Sequence, residues 1–388
     1  MSRSIRLAAL ALVTAPLAVA AQDAPAPTSA PAPCPGELVL IGTQQAGPGR
    51  GVYAARLDSA TGRLSPPALA AELDRPTWLL SDPAKPVLYS VSEVGNDGKS
   101  QAAVLSYAVD AKTGALKQIS RVASGGGGAT HLSYDPASRT LFVANFGTGH
   151  AAAIPVGADG SLSPPASVQA DAGSGPSPRQ KGPHAHGAQL DPTGRFLLVA
   201  DLGADRIFVY PFDRKTRRLS PGTQVIAPAG SGPRHLAFHP NGRILYDTSE
   251  LTGEVRVYRW RAGALTEVQA LSNTAPGYAG DKSAAELVVS RDGRHLYVSN
   301  RGEDTIVTYA IDRTTGMLKP QGRVASGGSW PWSFAIDPTG RWIVAANQKS
   351  GTLTVLRVDP ASGALTPTGQ SVPLEKPSSV AFAATRCR

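Results

Sequence analysis

Cysteine is nearly absent from this 388-residue chain: there are two, Cys34 and Cys387, at opposite ends. Two thiols so placed exclude a cysteine-rich metal scaffold, and neither sits where it would act as a nucleophile. No G-x-S-x-G elbow occurs, which excludes serine-hydrolase chemistry of that kind. Aromatic residues make up only 6% of the chain and basic residues are scattered, so nucleic acid is not an expected partner despite a formal charge of +9. Helical periodicity is almost missing. The one long apolar run, Leu7 to Val19, is too short for membrane insertion.

That run follows Arg3 and Arg6 and leads to small residues at Ala18 and Ala20, so residues 1–21 read as a cleaved secretory signal. Residues 22–35 form an Ala/Pro tract that cannot bury apolar area and reads as an extended tether. Residues 36–388 remain as a single domain. The expected product is a periplasmic or secreted monomer. Its net charge, about +7 after the two arginines leave, mildly favours anionic ligands. The dense basic stretch "DRKTRRL" from Asp213 reads as a solvated hairpin turn.

The body of the sequence repeats. "DSATGRLSPP" at Asp58 recurs as "DAKTGALKQI", "GADGSLSPP", "DRKTRRLSPG", "WRAGALTEVQ", "DRTTGMLKPQ" and "DPASGALTPT". The shared leucines, Leu64, Leu116, Leu162, Leu219, Leu265, Leu318 and Leu365, are spaced by 46 to 57 residues, a period of propeller blades. A second phrase, as in "DPTGRFLLVADL" and "HPNGRILYDTSE", precedes six of them and joins a turn to a β-branched and aromatic strand. Each unit therefore holds four antiparallel strands. The fold class is all-β: a seven-bladed β-propeller.

The chain ends account for the missing copy of the second phrase. "PSSVAFA" at Pro377 matches an inner strand with no successor, and "GELVLIGTQ" at Gly36 matches a second strand with no predecessor. One blade is thus shared, and the ring closes without exposed strand edges. Cys34 and Cys387 fall where the turn between those strands would be, and a disulfide there would replace it. Closing so long a loop is worth at most about 5 kcal/mol in the chain-entropy picture.

In a propeller, the loops entering inner strands and leaving second strands converge at one mouth of the central channel, where ligands bind. Counting back five residues from each D-P-x-G turn gives Thr77, Thr130, His186, Arg234, Ala285, Trp332 and Ser378 as equivalent positions. The ends of the second strands give Gln44, Glu93, Phe146, Leu202, Glu250, Arg301 and Gln348. His186, Arg234, Glu250 and Arg301 converge by this count into a site for an anionic or oxygen-rich ligand, with Glu93, Trp332 and Gln348 on the same rim. His184 and His186 in "PHAHG" are two ligands at most, so no metal and no cofactor is expected. His131 and His235 lie one position further along, where strand alternation would turn them away from that rim toward packing. "SGGGGATH", residues 124–131, fits no phosphate-loop pattern and reads as a flexible loop leading into its strand.

The motifs "GPHAHG", "GSGPRHLAFHPNGRILYDTSEL" and "LYVSNRGEDTIVTYAIDRTTGMLKPQG" resemble the seven-bladed lactonase family, which includes the propeller type of 6-phosphogluconolactonase; the resemblance runs from about Leu38 to Phe382. It extends to a propeller cycloisomerase acting on carboxymuconate, whose His, Arg, Glu and Arg set maps onto His186, Arg234, Glu250 and Arg301. Three motifs differ. The family's N-E-L is Ser249-Glu250-Leu251, its "SNRGHD" is "SNRGED", and its P-R-x-F is Pro331-Trp332-Ser333-Phe334. The last change removes an arginine that would contact phosphate.

The resemblance implies a metal-independent lactone hydrolase whose partner is a small anionic or polyhydroxylated lactone. Glu250, or else His186, would activate water; Arg234 and Arg301 would stabilise the oxyanion; His184 and His235 would contact substrate or orient its neighbours. Two alternatives come from other classes. One is a non-catalytic binding propeller of the cell envelope, and the other a muconate-type cycloisomerase with its carboxylates clamped by the arginines.

Overall fold

The computed structural model describes residues 36–384, together with Met1. The proposed signal, the tether, Cys34 and Cys387 lie outside the described body of the fold. Within it, strands gather into seven antiparallel sheets and no helix occurs.

Blade 1 joins Pro377–Phe382 to Glu37–Thr43, Val52–Leu57 and Ala68–Ala71. Blade 2 holds Leu79–Ser81, Val87–Ser92, Ala103–Val109 and Leu116–Ala123; blade 3 holds Ala129–Asp135, Thr140–Asn145, His150–Pro155 and Ser167–Ala170. Blade 4 holds Ala185–Leu190, Phe196–Asp201 and Arg206–Asp213, with Arg218–Leu219 and Thr223–Ile226 both paired to the third strand. Blade 5 runs Pro233–Phe238, Ile244–Ser249, Glu254–Arg261 and Ala264–Ser272. Blade 6 runs Ala284–Val289, His295–Asn300, Thr305–Ile311 and Leu318–Ala325, and blade 7 Pro331–Ile336, Trp342–Asn347, Thr352–Val358 and Leu365–Pro373. The shared blade is as the sequence predicts: Val39 pairs with Phe382 and Ile41 with Val380.

Each sheet is covered on both faces, which is why its second strand carries an unbroken buried run such as "VLYSVS" at Val87–Ser92. Seven apolar clusters fill the seven interfaces between neighbouring blades. The repeated phrases supply the turns. Asp58, Asp110, Asp213, Asp312 and Asp359 each accept the backbone N–H two residues on, capping the T-G type turn. The repeat leucines pair with the end of the third strand, Ile311 with Leu318 and Val358 with Leu365 among them. The "DRKTRRL" stretch is the hairpin between the third strand of blade 4 and Arg218–Leu219, and its Arg214 reaches Asp135 of blade 3 at 2.8 Å.

Candidate active site

The inner strands do not alternate regularly where they enter the channel. Six of them carry a register shift there, and the extra residue is Thr130, His186, Arg234, Ala285, Trp332 or Ser378. A bulge sets two residues against one on the partner strand and re-aims the inserted side chain. One backbone hydrogen bond repeats beside it in all seven blades: the N–H of Gln44, Glu93, Phe146, Leu202, Glu250, Arg301 or Gln348 donates to the carbonyl two residues before the bulge position. The two sets of positions counted from the sequence are therefore locked to each other.

Blades 5 and 6 bring the charges together. Glu250 Oε2 lies 3.0 Å from Arg234 Nε and 2.7 Å from Arg301 Nη2, with no more than 4% of these three side chains exposed. Its other oxygen takes Arg179 Nη1 at 2.7 Å, from a loop of blade 4 whose arginine is half exposed. Burial works to raise the Glu250 carboxyl, but Arg301, Arg234 and Arg179 overcome it and hold the group far below the usual carboxylate range. Both oxygens of this carboxylate are taken by guanidiniums. Burial and the Arg301 charge lower Arg234 to about 10, which leaves it cationic at neutral pH. Arg301 lies beneath two indoles, Trp332 at 4.8 Å and Trp330 at 5.4 Å, and its Nε has no partner among the described residues.

His186 stands beside this cluster, buried, with no partner for Nδ1 among the described residues. Burial, then Arg234, pushes its pKa well below the ordinary imidazole value, so it is a neutral base at pH 7. Its ring meets His235 at 5.0 Å, and His235 meets Trp78 at 5.0 Å and His131 at 4.9 Å. Here the structure corrects the sequence reading. His131 and His235 do not turn away; the bulge breaks the period of two, and they join Trp78 as the floor beneath His186. The same floor position in blade 6 is Glu286, which the sequence count passes over although it follows from adding one to Ala285. Burial pushes Glu286 up to about 7; its Oε2 is 3.3 Å from His235 Nδ1.

The other sequence candidates take separate places. His184 does not share His186's direction: it stacks on Phe146 at 4.4 Å, and its Nδ1 lies 2.8 Å from the Phe146 carbonyl, making it part of the wall. Trp332 covers both arginines. Gln348 is bonded to Gln44 of the next blade. Glu93 stands in blade 2, on the far side of the mouth, with Oε1 held by Asn96 at 2.8 Å. Burial raises its carboxyl, while Thr77, Asn96, Arg75 and Arg234 pull the other way. The glycine loop is less free than its composition suggests: a Cβ on Gly128, at φ +68°, would meet Asn96 Oδ1 at 2.0 Å. Arg179 and Trp330 were missed, since they sit on loops of unequal length where counting from a turn gives no register.

A cavity of about 610 Å³ opens on the opposite face, among the D-P-x-G turns, and ends at Trp78, Glu286 and Ser333. It lies below the floor and contains none of the Arg234, Glu250, Arg301 group, so the charged cup and the large cavity are separate features. Among the described residues no group of His, Cys, Asp and Glu is disposed to hold a metal ion, and no helix is long and apolar enough to cross a membrane.

The lactonase family of seven-bladed β-propellers matches residues 38–382. The chain belongs to that family. The 6-phosphogluconolactonase of Bacillus subtilis (strain 168) is 34% identical over 344 residues, 88% of this chain and 97% of its own. The periplasmic gluconolactonase of Pseudomonas aeruginosa superposes with a TM-score of 0.84 at 38% identity, covering 89% of this chain and 98% of that one. A 6-phosphogluconolactonase of Formosa agariphila is 30% identical over 80% of this chain and 89% of its own.

Proposed function

We propose that this lactonase-family propeller is an exported, metal-independent hydrolase of sugar lactones that works at the channel mouth. One arrangement carries the reading: two buried guanidiniums, Arg234 and Arg301, fastened by Glu250 beside the neutral imidazole of His186. Relatives named for gluconolactone and 6-phosphogluconolactone hydrolysis support the reaction class.

The lactone carbonyl oxygen accepts hydrogen bonds from Arg234 and Arg301, whose donors Glu250 has already oriented. Charge grows on that oxygen as water adds, and donors fixed beforehand need no reorganisation. His186 takes a proton from the attacking water while the water oxygen bonds to the carbonyl carbon. The tetrahedral intermediate expels the ring oxygen, the acyl C–O bond breaks, and the imidazolium returns the proton to the departing oxygen. The product is an open hydroxy acid, which ionises and releases one proton to solvent. Glu250 acts here as the anchor of the arginines, and the water-activating role passes to His186.

Titration of acid released from δ-gluconolactone, against spontaneous opening, tests the reading. Acceleration by the wild type supports it; saturable binding without turnover would identify a non-catalytic binding propeller. Export is tested by sequencing the mature N-terminus, and a chain retaining residues 1–21 overturns that part.

A further inference from the structure

Across the mouth from the arginines, blades 1 and 2 present a different surface. Ser378 occupies the position equivalent to Arg234 and His186, is fully buried, and its Oγ has no partner among the described residues. Thr77 occupies the same position in blade 2, is 3% exposed, and turns its Oγ1 to the Glu93 carboxyl, with no other partner among the described residues. A buried hydroxyl left unpaired, as that of Ser378 is, is costly, and the ring position that holds His186 and Arg234 at the mouth in blades 4 and 5 holds these two at the same mouth. Glu93 completes the group. One of its oxygens is engaged by Asn96, and Arg75, whose charge also reaches it, is exposed.

We propose that Thr77, Ser378 and Glu93 form a subsite for the hydroxyl groups of the lactone's polyol tail, and that Glu93 makes the site select against a phosphorylated tail. This rests on the lactonase reading above. With the carbonyl held by Arg234 and Arg301, the tail points to the opposite wall. There hydroxyls supply donors to Glu93 and partners to Thr77 and Ser378. A phosphate brings at least one further negative charge against the Glu93 carboxylate and no donor to satisfy it.

Two substrates and two product acids test the subsite. The ratio of kcat/KM for δ-gluconolactone to that for 6-phosphogluconolactone is measured for wild type, Glu93→Gln and Glu93→Asp. The ratio should favour the unphosphorylated lactone in wild type, fall about tenfold or more in Glu93→Gln, and return in Glu93→Asp. Thr77→Val with Ser378→Ala should lower the ratio of δ-gluconolactone to unsubstituted δ-valerolactone about tenfold, a discrimination that a merely structural role would not move. Calorimetric binding of gluconate and 6-phosphogluconate reads the same preference without turnover. If no lactone is hydrolysed but gluconate is still preferred and Glu93→Gln removes the preference, the catalytic reading fails and the subsite stands. If lactones are hydrolysed and Glu93→Gln leaves both the kinetic ratio and the binding preference unmoved, the subsite is overturned.

Discussion

Glu250 Oε2 and Arg234 Nε meet at 3.0 Å with neither side chain more than 3% exposed, although 16 residues separate them in the chain. The same oxygen holds Arg301 at 2.7 Å. Two like charges stay side by side, out of water, because one carboxylate neutralises part of both. Together they form a fixed pair of cationic donors beside His186.

If Arg234 stabilises the oxyanion, its fork of donors matters as well as its charge. Arg234→Lys keeps the charge but loses the fixed geometry, and kcat/KM for δ-gluconolactone should fall about 100-fold, the cost of removing an oxyanion donor. The measurement is titrimetric turnover, paired with a thermal melt to verify the fold.

The pH profile separates His186 from Glu250 as the base. Because His186 is depressed well below its usual value, kcat/KM should stay flat through pH 6 to 7 and fall only at more acidic pH, where the imidazole becomes protonated. Glu250→Gln should lower the plateau while leaving an acidic limb in place. Disappearance of that limb in Glu250→Gln would return the base role to Glu250.

Glu286 makes a stability prediction of opposite sign to an ordinary salt-bridged acid. Burial raises its folded pKa to about 7 from an ordinary value of 4.5, so its stability contribution is full below the lower value and lost as pH rises through the higher. Glu286→Gln should therefore be more stable than wild type above pH 7, by about 3 kcal/mol at most, and should lose that advantage as pH falls below about 4.5. Denaturant unfolding at both pH values checks it.

Much of this arrangement was legible in the sequence because each blade carries its own ruler. The D-P-x-G turn fixes the inner strand, so counting back from Asp191 and His239 placed His186 and Arg234 in register, and Glu250 and Arg301 followed from the second strands. The same count failed for His131 and His235, because it assumed strict alternation through a bulge that no residue in "GPRH" announces. Arg179 and Trp330 were illegible for another reason: loop conformation, unlike strand register, is set by packing that no repeat encodes.

Ring closure through the shared blade gives a further test. A chain ending at Lys376 lacks Pro377–Phe382, which pairs with Glu37–Thr43 and packs Val380 against blade 7. The unpaired edge and opened interface should abolish a single cooperative unfolding transition, as followed by circular dichroism on heating.

In the proposed mechanism His186, neutral and beside the paired arginines, activates water at the channel mouth. Its most direct test is the pH-stat rate of δ-gluconolactone opening with wild type and His186→Gln at equal, folded concentration. The wild type should accelerate opening clearly, and His186→Gln should lose about 100-fold or more in kcat, within the range for removing a general base. Equal rates for the two proteins would contradict it.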